Sequence, residues 1–281
     1  MGASDPSTGE SARPEQQRAV DQHFRDRAEE WQRVYGRDDV NALVHRERLT
    51  TALTWIDGLG LQAGAESLDL GCGAGAATVA LAGRGLAVAA VDPVPEMLEL
   101  TRHAAETARL VDLVTVATGD AHALPFGDAR FDLVVALGVF PFLHSPHRAT
   151  QEIARVLRPG GHLVTNADNN RRAIRFLEPL QVPGSATLRR SVRRALGRDP
   201  GGVRVTMHSI REFDELLARA GLRKITGRTL GFGPFTIMRR PVLNEERGRR
   251  LNDRLQRWAD EGKALVRSMG AQYVVLARRD P

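Results

Sequence analysis

Residues 66–82 read ESLDLGCGAGAATVALA. Three glycines, Gly71, Gly73 and Gly75, alternate directly behind a short apolar run and directly ahead of an alanine-rich one. Glycine tolerates left-handed backbone and carries no Cβ, so this spacing suits a tight strand-to-helix turn whose N–H groups approach a ligand closely. Such a turn is the signature of a layered α/β sheet that binds its ligand at the carboxyl edge.

The flanking sequence keeps up the alternation. SLDL, LAVAAVD, LVTVATGD, FDLVVAL and GHLVTNAD read as strands. Between them, Ala76–Arg84, PEMLELTRHAAETARL and SPHRATQEIARVLRPGG read as helices, the last terminated by Pro159 and Gly160. Strands rich in Val, Leu and Ala that alternate with helices predict a parallel sheet covered on both faces. Further on, SIREFDELLARAGL reads as a helix capped by Ser209, RKITGRT as a strand, and AQYVVLARR as a closing strand. The expected fold is therefore α/β and Rossmann-like: a seven-stranded, mostly parallel sheet with an antiparallel last strand and a helical cap from N-terminal helices and insertions.

The chain divides accordingly. Residues 1–13 are polar and read as a disordered leader, and 14–58 as an N-terminal helical lid. Residues 59–170 form the cofactor-binding core, 171–208 a basic insertion, and 209–281 the C-terminal part of the core with a helical insertion at 241–269. In the lid, Val20, Phe24, Ala28, Trp31 and Tyr35 recur at helical intervals, as do Leu43, Leu49, Leu53 and Ile56. Trp31 and Tyr35 are expected over the cofactor, where a lid excludes water from the reaction.

Charge is unevenly spread. Nine arginines between Arg171 and Arg204 face only Glu178 and Asp199, a net +7, which exceeds the +6 of the whole chain. LRRSVRRALGR puts Arg190, Arg193, Arg194 and Arg198 near one side of a short helix, suited to an acidic small molecule or a membrane surface. No aromatic platform accompanies these arginines, so no nucleic-acid partner is expected. No run approaches the roughly 20 apolar residues of a transmembrane helix, which leaves only peripheral membrane contact open. The lone cysteine, Cys72, forms no internal disulfide and points to a cytoplasmic chain. No metal site is discernible, and nothing sets the oligomeric state.

Two cofactors compete for the glycine turn. Gly71, Gly73 and Ala76 satisfy G-x-G-x-x-[GA], and Asp92 follows about 20 residues on, as a nicotinamide dinucleotide requires. Asp69, however, precedes the turn. A carboxylate there repels a pyrophosphate but suits the cationic aminoacyl-sulfonium end of S-adenosylmethionine. In GDAHALPF, Asp120 can accept from an adenine amino group and the Ala121 N–H can reach a ring nitrogen.

Together LDLGCGAG, VDPVPEML, GDAHALPF, FDLVVALGVFPFLH and VLRPGGHLV resemble the ordered motifs of class I S-adenosylmethionine-dependent methyltransferases, over about Glu66–Ala167. HFRDRAEEWQRVYGRDDV and RERLTTALTWIDGL more loosely resemble leaders of the ubiquinone-pathway and magnesium-protoporphyrin O-methyltransferase group. The resemblance implies that Asp69, Gly71, Gly73 and Gly75 border the methionine moiety and that Asp92 holds the ribose hydroxyls. It places Pro93 and Met97 beside the adenine, Asp120 and Ala121 at the adenine edge, and Leu137 on the methyl-transfer face.

It also implies transfer of a methyl group to a small-molecule acceptor, acidic or apolar and aromatic, with O-methylation favoured over C- or N-methylation. An NAD(P)-dependent oxidoreductase and a binding protein that has lost its chemistry are the rival readings. For a hydroxyl acceptor, His144 after the fourth strand and His208 before a helix are the candidate general bases, since imidazole titrates near neutral pH. Asn166, Asp168 and Asn169 could orient the acceptor, and GFGPF (231–235) could wall its pocket.

Overall fold

The computed structural model describes residues 15–28, 40–172, 205–233, 235–237, 240–264 and 266–281. Trp31, Tyr35 and all but the first two residues of the arginine-rich segment 171–204 lie outside the described residues.

Two helices come first, α1 (Glu15–Arg25) and α2 (Val40–Asp57). The core follows as β1 (Glu66–Leu70), α3 (Ala76–Ala82), β2 (Ala87–Asp92), α4 (Pro95–Thr107), β3 (Val114–Thr118), β4 (Phe131–Ala136), α5 (Pro146–Val156) and β5 (Leu157–Asn169). After it come β6 (Met207–His208), α6 (Ile210–Arg219), β7 (Leu222–Leu230), β8 (Thr236–Ile237), β9 (Arg240–Pro241), α7 (Glu245–Asp260) and β10 (Gln272–Arg279).

The main sheet runs β3-β2-β1-β4-β5-β10-β7, with the short β6 added beside β5. The pairs β1–β2, β1–β4, β2–β3 and β4–β5 are parallel, while β10 lies antiparallel between β5 and β7. The mostly parallel sheet with an antiparallel last strand is thus as the sequence predicts. Its central strands are buried on both faces: Leu68, Val91, Leu133, Val134 and Val164 are solvent-inaccessible or nearly so. Chain order reverses between β1 and β4, and the crevice outside their carboxyl ends is where a sheet of this kind binds ligand.

Three elements depart from expectation. The helix expected to run through SPHRATQEIARVLRPGG stops at Val156, and Arg158–Gly161 belong to β5. Pairing with β4 jumps from Phe131↔Leu157 to Leu133↔His162, so the Pro-Gly-Gly stretch is a bulge inside the strand. A Cβ at Gly161 would stand 2.9 Å from the Arg158 carbonyl and 3.1 Å from that of Phe131, which only glycine avoids. Among the described residues, the helical insertion expected over 241–269 is helical only as α7.

In α2, Leu43, Leu49 and Leu53 are half-buried, and the most buried line is instead Val44, Arg48, Ala52 and Ile56 at successive four-residue steps. The capping of α6 is as expected: Ser209 accepts from the Glu212 N–H while the Glu212 carboxylate accepts from the Ser209 N–H.

In GFGPF, Gly231 and Phe232 serve packing. Gly231 sits tightly against Val44 of α2, and α7 holds the turn through Asn252 Oδ1 on the Phe232 N–H (2.8 Å) and Gln256 Oε1 on the Gly231 N–H (3.3 Å).

Candidate cofactor and acceptor site

A cavity of about 350 Å³ opens at the β1/β4 crevice. It is walled by the tips of β1, β2, β4 and β5, the start of β10, and helices α1 and α2.

The glycine turn forms its floor. Gly71, Gly73 and Gly75 all have positive φ (69°, 53° and 83°). At Gly71 a Cβ would come 2.5 Å from Val139 Cγ2, so the loop after β4 closes directly on the glycine turn. Gly71 and Gly73 line the cavity, whereas Gly75 lies behind it as the N-cap of α3, against Thr101. Gly71→Ala should destabilise the fold by at least about 1–2 kcal/mol from the left-handed backbone alone, plus the displacement of Val139. Denaturant unfolding measures the loss.

Two carboxylates stand at the tips of neighbouring strands. Asp69 is 2% exposed and accepts from the Thr78 hydroxyl (2.6 Å). Asp92 accepts from the Gly73 N–H through Oδ2 (3.1 Å) and from the Val94 N–H through Oδ1 (3.0 Å), tying the turn to the start of α4. Burial pushes both carboxyl groups up to about 6, and the negative charge of Asp92 adds to the effect on Asp69. Burial and the same two carboxylates also push the Cys72 thiol up, which keeps it an inert filler behind the turn.

Pro93, Met97, Ala121 and Leu137 line the same cavity. So does Asp120, whose Oδ1 receives both the backbone N–H of His122 (2.9 Å) and its ring Nδ1 (2.6 Å). The structure therefore gathers Asp69, Gly71, Gly73, Asp92, Pro93, Met97, Asp120, Ala121 and Leu137 around one space.

His144 and His208 are not among its described lining residues. The His144 ring stacks on His122 at 3.8 Å, and its Nδ1 lies 3.3 Å from Gln17 Oε1 of α1. His208 packs 5.6 Å from Phe213, and burial holds its imidazole below the usual range. Asn166 Oδ1 accepts from the Gly138 N–H (2.7 Å), Asn169 binds the carbonyls of Ser268 and Gly270, and Asp168 reaches the cavity.

The sequence places a helical lid over 14–58 but does not single out Gln17, Asp21, His45 or Arg48 of α1 and α2 as residues of the cavity wall. Helix α1 lays Gln17, Val20, Asp21 and Phe24 along the cavity wall and is fastened there by Phe24 edge-on to Phe142 (4.9 Å) and by Arg25 to Glu96 (3.3 Å). From α2 comes Arg48, 4% exposed. Its guanidinium lies where a side chain on Gly138 would meet it at 3.3 Å, one residue from the Val139 that touches the glycine turn. Among the described residues it makes no ion pair, and its Nε has no hydrogen-bond partner. A signal existed: Arg48 sits on the four-residue line of Val44, Ala52 and Ile56, where an apolar residue belongs.

A doubly wound sheet with a glycine turn at its switch point, two buried carboxylates and a buried arginine gives the cavity a charge pattern complementary to a small zwitterionic or cationic ligand. The family described as a methyltransferase domain matches residues 68–165. A demethylmenaquinone methyltransferase of Tropheryma whipplei is 30% identical over 187 residues, 64% of this chain and 76% of that one.

An uncharacterized methyltransferase of Mycobacterium tuberculosis is 43% identical over 96 residues, 34% of this chain, and that match spans 37% of the relative's length. Among solved structures, magnesium protoporphyrin IX methyltransferase from Synechocystis PCC 6803, with bound S-adenosylhomocysteine, shares the fold at a TM-score of 0.65 and 17% identity, over 95% of this chain and 100% of that one. The chain belongs to the class I S-adenosylmethionine-dependent methyltransferases, and the cofactor of that family is S-adenosylmethionine. Among the described residues no helix is long and apolar enough to cross a membrane.

Proposed function

We propose that this chain transfers the methyl group of S-adenosylmethionine to an oxygen of a small molecule. The observation that carries the reading is the charge pattern of the cavity. Asp69 and Asp92 lie at the tips of neighbouring strands, and Arg48, its guanidinium beside Gly138, lines the same cavity. That pattern matches a ligand with a carboxylate at one point and an ammonium, a sulfonium and ribose hydroxyls at others. A pyrophosphate would meet the buried Asp69 carboxylate beneath the turn and be repelled.

When bound, the cofactor supplies a methyl group made electrophilic by positive sulfur. In this reading Arg48 holds the methionine carboxylate, Asp69 faces the cationic end, and Asp92 accepts from the ribose, each of its oxygens having lone pairs beyond those its backbone donors use. Asp120 and Ala121 meet the adenine edge, with Pro93 and Met97 beside the ring. Helix α1, with Val20 and Phe24 on the wall, excludes water. Alignment of reactants in such an enclosed space contributes about 7–11 kcal/mol to catalysis.

Oxygen is favoured as the methylated atom by the likeness of the N-terminal helices to O-methyltransferase leaders. Titration calorimetry tests the whole reading: the protein should take up S-adenosylmethionine and S-adenosylhomocysteine and ignore NADH. Uptake of NADH with none of the sulfonium compound would reverse it.

A further inference from the structure

We propose that Asp168 takes the acceptor's proton, and that the acceptor is an uncharged, apolar molecule presenting a hydroxyl group, seated against Phe24 and Phe142. The proposal rests on the methyl-transfer reading above.

Asp168 is placed for this by the strand that carries it. In β5, residues two apart share a face. Asn166 uses that face to hold the Gly138 N–H beside the glycine turn, and Asp168, one step further toward the carboxyl edge, is the next side chain on it and lines the cavity. Gln272, its cross-strand partner in β10, lines the cavity beside it. Gln272 Oε1 is buried without a partner among the described residues, a polar atom left for a ligand beside Asp168.

The charges acting on Asp168 are Arg172, with the larger effect, and Arg48; burial outweighs both and holds the carboxyl above its usual range, which makes it a better base. His45 of α2 also lies on the cavity wall. His144 and His208 do not.

The acceptor's chemistry follows from the cavity's remaining surface. Asp21, Asp69, Asp92, Asp120 and Asp168 line it against Arg48 as the described cation. A cofactor of net charge +1 leaves carboxylates in excess, so an anionic acceptor is repelled and an uncharged one admitted. Phe24 and Phe142, edge to face, with Val20, Val139 and Leu143, supply an apolar and aromatic wall on the α1 side.

In the step itself the acceptor oxygen's lone pair forms the bond to the methyl carbon. The carbon–sulfur pair stays on sulfur, leaving a neutral thioether, and the hydroxyl proton passes to an Asp168 oxygen.

The probes are 2-naphthol and 2-naphthoate, of one shape but differing in charge. The protein loaded with S-adenosylhomocysteine should bind 2-naphthol at least about tenfold more tightly than 2-naphthoate. Excited 2-naphthol is a strong acid and should emit from its ionised form beside a carboxylate. Asp168→Asn should leave S-adenosylmethionine affinity within about twofold, abolish the ionised emission, and slow methylation of 2-naphthol by about 10²-fold or more.

Three results would overturn the proposal: 2-naphthoate binding as tightly as 2-naphthol, no binding of 2-naphthol to the loaded protein, or ionised emission and turnover that persist in Asp168→Asn. Failure of the wild-type protein to bind S-adenosylmethionine would instead remove the methyl-transfer reading beneath it.

Discussion

Arg48→Met should make the ligand-free protein more stable and the cofactor nearly unable to bind. Arg48 is 4% exposed, and among the described residues it has no ion pair. Little of the residue meets water and no carboxylate lies in contact with it among the described residues, so a similar-sized apolar side chain lowers the cost of burying that charge. Replacing buried ionic groups by apolar ones stabilises by about 1–4 kcal/mol where the geometry allows. For a chain of this size each kcal/mol is about 2–4 °C in Tm.

The cofactor's carboxylate, meanwhile, loses its counter-ion in a site already rich in carboxylates. Removing one partner of a buried charge pair costs about 2–5 kcal/mol, so affinity should fall by at least about 30-fold. Thermal unfolding with and without S-adenosylmethionine reads both effects in one experiment: the ligand-free Tm rises and the ligand-induced shift disappears. A lower ligand-free Tm with the ligand shift intact would show Arg48 to be a packing residue.

The second large effect is on pH dependence. Asp69 and Asp92 hold their protons up to about 6 in the folded chain, against an ordinary carboxyl value of 3.8. Between those limits the folded chain binds more protons than the unfolded one. The stability these groups contribute is therefore fully present below about 4 and is lost as pH rises through 6. For either group alone the loss is on the order of 3 kcal/mol, at 1.36 kcal/mol per unit of displacement.

Other carboxylates oppose the trend. Salt-bridged Glu152, for example, is held below its usual range by Arg155. The difference between the wild-type protein and Asp69→Asn isolates the term. The variant can still accept from Thr78 through its amide oxygen. It should nearly match the wild type at pH 4, surpass it increasingly as pH rises through 6, and keep a constant lead from about pH 7 upward. In the wild type, cofactor affinity should rise over the same range, because positive sulfur and ribose donors select the ionised carboxylates. Calorimetry in buffers of different ionisation enthalpy should detect proton release from the protein at pH 6 and none at pH 8. Affinity flat across that range would sink the assignment of both aspartates.

Much of this site is legible in the sequence because it is local. The glycine turn, Asp69 just before it, Asp92 at the next strand's end and Asp120–Ala121 after the third are each fixed by the strand they terminate, and parallel β-α-β connections return every such strand end to the same edge. Reading the strands thus gathers these residues without knowledge of their contacts. Arg48, Asp21 and Gln272 come from outside that logic. They arrive on helices and on the antiparallel strand β10, whose positions against the edge are settled by packing.

The RPGG stretch shows the same limit at small scale. Proline and two glycines are a strong stop signal for a helix, and the helix does stop, but at Val156, before the proline is reached. The backbone gains more by pairing Leu157 with Phe131 and absorbing the extra residues as a bulge.

What the sequence alone determined was the sheet, the floor of the cavity and the family's cofactor, because alternating periodicity and glycine spacing act through short-range backbone sterics. What only the tertiary structure decided was the charge balance and the walls of that cavity. There a buried arginine acquires meaning only when the helix bearing it is laid against Gly138, and a strand-end aspartate only when Gln272 is paired across from it. Burial and electrostatics depend on which distant segments exclude water together, and no local pattern records that.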